Sequence, residues 1–238
     1  MGSTRQQRAW YFYDWANSAY ITTTATVILG PYLTSLATRA ACPDLPAGEV
    51  CTTPVNLLGL WVLPGAVHPF LVTISTIVTL VALLIIGVVA DRSPRPQLWL
   101  GALAWVGAAA ASAMFFLADT NWQLGAVLMI IANLCVGSSQ VIYDGILVRI
   151  AAPDDRDRVS SRGWALGYLG GGLLLALNLM LMTAYESFGI SYGLAIRISL
   201  LSAGLWWGLF TIIPVLGLRA LPQRAEDELE LRAQVRRH

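Results

Sequence analysis

Charge is what this sequence has least of. Only 12% of its 238 residues are Asp, Glu, Lys or Arg, against 56% apolar, whereas ordinary globular domains carry roughly 25% charged residues. A soluble fold of this composition would be short of polar surface. Metal ligands are equally sparse: the histidines are His68 and His238, the cysteines are Cys42, Cys51 and Cys135, and no cluster has ligand spacing. Zinc-protease, nucleophile-elbow and phosphate-loop patterns are missing. Neither enzyme activity nor a cofactor is expected. A cleavable leader is not expected either, because the apolar run after the basic head Met1 to Arg8 contains Asp14 and overruns the length of a signal segment.

Long apolar runs fill the chain instead. A helix needs roughly 20 mostly apolar residues to cross a bilayer, and six stretches qualify: Tyr11 to Leu36, Phe70 to Ala90, Leu98 to Ala118, Leu124 to Val148, Trp164 to Ala184 and Leu194 to Leu218. Each span must satisfy its own backbone hydrogen bonds in lipid, and barrel strands would be shorter and strictly alternating. The expected fold class is therefore all-α, a polytopic bundle of six transmembrane helices over residues 1–218, with an outer loop at 37–68 and a tail at 219–238.

Arginine placement orients the bundle. Arg5 and Arg8 precede the first span, Arg92 and Arg95 follow the second, and Arg149, Arg156, Arg158 and Arg162 lie between the fourth and fifth. Arg219, Arg224, Arg232, Arg236 and Arg237 follow the sixth. Only Arg39 and Arg197 fall on the other side. Basic residues near span ends are retained in the cytoplasm, so both termini are expected inside, in an integral protein of the plasma membrane. Topology accounts for these arginines, and no nucleic-acid partner is expected. On the outer side, Cys42 and Cys51 share one loop, where they are either bridged or two unpaired thiols.

Polar residues inside the spans are few and patterned. Asp14, Ser18, Thr22 and Thr26 recur at four-residue steps in the first span, with Asn17 and Thr24 near the same face. Asn133, Gln140 and Asp144 stripe the fourth, with Gly137 among them. Intramembrane carboxylates are costly and usually face a cavity or a partner. Asp14 and Asp144 therefore either line a solute pathway or pair at the interface with Arg8 and Arg149. In the fifth span Gly163, Gly167 and Gly171 form a row that lets another helix approach closely, either within this bundle or from a second one.

Three motifs carry a resemblance. Gly87, then Asp91-Arg92, a turn and Arg95 are similar to the cytoplasmic signature between the second and third helices of the major facilitator superfamily, with Pro94 where a glycine is expected. Tyr13 to Tyr20 (YDWANSAY) and Ser160 to Gly172 (SSRGWALGYLGGG) resemble hallmark segments of its vacuole-effluxer-like branch. Fungal members of that branch are associated with amino-acid release from the vacuole.

The resemblance implies half of a facilitator fold, built from nested three-helix inverted repeats, because a full facilitator has about twelve spans. It also implies that Asp14, Asn17, Ser18, Asn133, Gln140, Tyr143 and Asp144 line the pathway and that Asp91, Arg92 and Arg95 form a cytoplasmic gate. The expected function is secondary active transport of a small polar solute such as an amino acid, with or without protons. The expected partners are the lipid bilayer and a second six-helix half. A six-span scaffold without transport of its own is the alternative.

Overall fold

A computed structural model describes residues 4–219 and Leu221, except Ala47 and Leu58, and describes Val89, Asp91 and Arg92 through their backbone only. The first helical run has three parts: α1 (Thr4–Ala19), a π-helical segment (Tyr20–Ile28) and α2 (Leu29–Ala41). Two features explain the widened turns. Pro31 cannot donate to Val27, and its ring crowds that carbonyl. Threonine hydroxyls also compete for the backbone: Thr26 Oγ1 donates to the Ile21 carbonyl at 2.8 Å. The Leu29 amide then bonds the carbonyl of Thr24, five residues back.

Among the described residues five helices are long and apolar enough to cross a membrane, by length and composition, and the first run, expected as a span, is not one of them. The five are α3 (Val67–Arg92), α4 (Pro96–Ala113), α5 (Trp122–Ile150), α6 (Arg156–Thr183) and α7 (Tyr192–Phe210), the last continued by the short α8 (Ile212–Gly217). Helix ends follow local chemistry. Pro96 opens α4, where its missing N–H costs nothing. Acidic Asp154, Asp155 and Asp157 precede or begin α6, favourable to the helix dipole. The Ser191 side chain caps α7. The α7 to α8 break at Thr211 follows from Pro214, which cannot bond back to Phe210.

One part of the outer loop departs from the all-α expectation. Helix α2 runs on to Ala41, α3 begins at Val67, and between them β1 (Val55–Leu57) and β2 (Leu60–Val62) pair antiparallel in the register Val55 with Val62. Gly59, at φ 89°, supplies the left-handed turn residue. Cys42 and Cys51 are joined, with Cα atoms 6.0 Å apart, while Cys135 is buried and free. In intact cells an impermeant maleimide should label the loop cysteines only after external reduction and should not reach Cys135. Labelling without reduction would remove the bridge, and none even after reduction would put the loop inside.

The core is aromatic and centres on α1, with Trp10, Tyr13, Tyr20, Trp122, Tyr143 and Trp207 fully buried. Helix α1 packs most on α6, α4 on α5 and α7, and α3 on α5. Contacts between helix ends gather most arginines at one end of the bundle. Gln7 Nε2 donates to the Ile150 carbonyl, Gly217 sits against Ala9, and one small pocket is lined by Gly87, Ala90, Pro96 and Arg149. At the opposite end the Tyr32 hydroxyl meets the Leu117 carbonyl, and Arg197 lies 5.7 Å over the Phe115 ring. The tail residues 222–238 lie outside the described residues.

Candidate functional site

Helices α1, α5 and α6 enclose an open cleft of about 470 Å³. From α1 it takes Asp14, Asn17 and Ser18, and from the π segment Ile21 and Thr22, at three- and four-residue spacing along the run. From α5 it takes Val136, Gly137, Gln140 and Asp144, and α6 adds Trp164 and Tyr168. The lining is thus apolar and aromatic with a few convergent polar groups, the usual make-up of a small-molecule site.

Asp14 is the best-held polar group. Its side chain is 7% exposed, and Oδ2 accepts a 2.7 Å hydrogen bond from the Tyr143 hydroxyl. Tyr143 is itself fixed: its ring stacks on Trp10 with centroids 3.9 Å apart, and the Trp10 Nε1–H donates to the Tyr143 carbonyl at 2.9 Å. One level along, Asn17 Nδ2 donates to Gln140 Oε1 at 2.9 Å. These bonds tie α1 to α5 beneath the cleft. Asp144 stands exposed at its rim.

The glycine row makes this arrangement possible. A Cβ on Gly163 would fall 2.8 Å from both Asp14 Oδ2 and Trp10 Cζ3, and one on Gly167 would fall 2.8 Å from Ser18 Oγ. Gly171 lies against Thr22 and the Ser18 carbonyl in the same way. All three face α1 inside this bundle, as small residues at close helix crossings do.

Not every expected pathway residue reaches the cleft. Asp14, Asn17, Ser18, Gln140 and Asp144 line it together. Asn133 does not: it accepts from the Tyr20 hydroxyl at 2.8 Å and donates to Ser75 Oγ at 3.2 Å, joining the π segment, α5 and α3. Tyr143 acts from behind, through its hold on Asp14. The first-span stripe also ends early: Thr26 is exposed and outside the lining, its hydroxyl bonded to the Ile21 carbonyl, and Thr24 is fully buried outside the lining. Asp14 meets Tyr143 rather than Arg8. Of the expected gate, the Asp91 and Arg92 side chains lie outside the described residues, and Arg95 is an exposed residue at the start of α4.

Trp164, Tyr168, Ile21 and Val136 were not among the expected site residues. A signal existed for the two aromatics, since they stand four apart, each one residue after a glycine of the row. Among the described residues no group of three His, Cys, Asp or Glu side chains is placed to hold a metal.

Long apolar helices around an open cleft define a polytopic helical membrane protein. The chain belongs to the vacuole effluxer Atg22-like family, whose model matches residues 2–156 and 149–235. It is similar to an uncharacterized MFS-type transporter, YxiO, of Bacillus subtilis, 26% identical over 211 residues, covering 88% of this chain and 45% of that protein. It is also similar to autophagy-related protein 22-2 of Emericella nidulans, 23% identical over 242 residues, covering 74% of this chain and 40% of that protein. Autophagy-related protein 22 of Pyricularia oryzae is 21% identical over 292 residues, covering 92% and 42% respectively. The chain spans less than half the length of each of these relatives. No solved structure matches.

Proposed function

We propose that these residues form the amino-terminal, six-span half of a secondary active transporter for a small polar solute, with α1, its π segment and α2 together making the first span. The carrying observation is the cleft itself. It has walls from α1, α5 and α6, a buried carboxylate on its floor and an open side, as one half of a central binding site would have. Facilitator halves rock about such a midplane site, and the relative named as an MFS-type transporter is about twice as long as this chain.

The neighbouring surfaces fit the same reading. Helix α6 borders the cleft on one side, and α3 abuts α5 on the other, where Thr79 would meet a Cβ on Gly137. Both present exposed apolar side chains, among them Leu80, Leu84 and Ile85 on α3 and Leu169, Leu173 and Met180 on α6. Those faces suit lipid or a second half. The π segment beside the cleft adds a deformable stretch to α1, since π turns recur at functional sites. The arginine-rich end is assigned to the cytoplasm by the positive-inside rule. Amino acids are the first substrate class to try, because the family model is described as a vacuole effluxer. The test is counterflow of an amino-acid panel, with and without a proton gradient, by the chain joined to a matching second half. Saturable exchange of at least one member supports the proposal; none across the panel, with the joined protein folded, would leave a six-span scaffold.

A further inference from the structure

We propose that the groove between the start of α1 and α8 binds one anionic phospholipid, with Arg5 and Arg8 on its phosphate and Phe12, Ile213 and Leu216 along its acyl chain. The groove holds about 340 Å³ and is lined by these residues with Ala9 and Gly217. Its floor exists because α8 comes close to α1: a Cβ on Gly217 would lie 2.3 Å from that of Ala9.

Polarity runs along the groove as it runs along a lipid. Arg5, Arg8 and Phe12 share one face of α1 at three- and four-residue spacing, so the guanidiniums sit at the helix end and the apolar wall lies deeper. Opposite them, Ile213 and Leu216 are exposed large apolar side chains. Both arginines are exposed, and neither has an acidic partner among the described residues. Guanidinium groups bind phosphate oxygens in bidentate fashion, and basic pockets between transmembrane helices accept anionic headgroups. Two unpaired positive charges favour a lipid of net negative charge over a zwitterionic one, whose ammonium would be repelled. This assignment rests on α1 entering a membrane but not on transport, so loss of flux would leave it standing.

Native mass spectrometry of the full chain in detergent tests it, with phosphatidylglycerol or phosphatidylcholine added. One phosphatidylglycerol should be retained, at least about tenfold more tightly than phosphatidylcholine. Each arginine near an anionic surface is worth about a fivefold change in binding, so R5A/R8A should weaken retention on the order of thirtyfold. R5K/R8K, which keeps both charges and loses the bidentate forks, should fall between the parent and R5A/R8A, and R158A, altering an exposed arginine already paired with Asp155, should change nothing. The single variants R5A and R8A give the same reading if the double variant fails to fold. Equal retention of both lipids, or undiminished retention in R5A and R8A, would overturn the proposal. So would displacement by inorganic phosphate, which would make this a free-anion site. Retention only after truncation following Leu221 would overturn it too, assigning the groove to the acidic run at 226–230.

Discussion

Replacing Asp14 by Asn in the joined two-half protein should lower solute flux at least about tenfold, because hydrogen bonds to charged groups contribute roughly 1.5–3 kcal/mol and about 1.4 kcal/mol is a tenfold change. The substitution keeps the size of the side chain and can still bond Tyr143, so the fold should survive and only the charge is lost. Thr22→Ala, on the same cleft wall, should stay within about twofold, since a hydroxyl that can bond its own helix backbone is replaceable. Asp144→Asn should fall between them, as Asp144 is exposed at the rim while Asp14 is buried on the floor. Flux assays on the three variants at matched protein levels check the order. Unchanged flux in both Asp variants would return these residues to a purely structural pairing role.

Gly163→Ala should destabilise the bundle by about 1–3 kcal/mol through overpacking. The added Cβ would meet Trp10 and Asp14 at 2.8 Å and the Tyr143 hydroxyl at 2.9 Å. Trp10 cannot give way easily, because it is fully buried, stacked on Tyr143 and bonded to its carbonyl. Gly172→Ala is the control: nothing lies within 4 Å of a Cβ there, and alanine is favoured over glycine in a helix by about 1 kcal/mol. Thermal unfolding midpoints in detergent should therefore move in opposite directions for the two variants. A Gly163→Ala protein as stable as the parent would mean that α6 does not approach α1 as closely as described.

Periodicity in the sequence reveals which faces are polar, but not which neighbouring helix each face meets. The stripe of Asp14, Asn17 and Ser18 and that of Gln140 and Asp144 were legible because charge and amide groups are rare in long apolar runs, and they converge on one cleft. Asn133 belongs to the same stripe by spacing. It is drawn off by Tyr20 and Ser75, partners more than fifty residues away in sequence on other helices. The π segment was hidden because its threonines also fit an ordinary helical step. Only the combined pull of Pro31 and the Thr26 back-bond widens the turns. The hairpin of β1 and β2 was hidden by its size, three residues a strand, within a loop read as irregular. Trp164 and Tyr168 each follow a glycine of the row, and the laying of α6 on α1 through those glycines brings both side chains to the border of the cleft.

In the proposed function this bundle supplies one wall of a transport site that a second half completes. A lone half would expose the flank of Asp14, Asn17 and Gln140, and burying such groups against lipid is costly. The most direct measurement compares, in proteoliposomes, solute flux through the chain alone with flux through the same chain joined to a matching six-span partner. No saturable flux is expected from the chain alone, and saturable flux, sensitive to Asp14→Asn, is expected from the joined protein. Robust saturable flux from the purified chain as a monomer would contradict it.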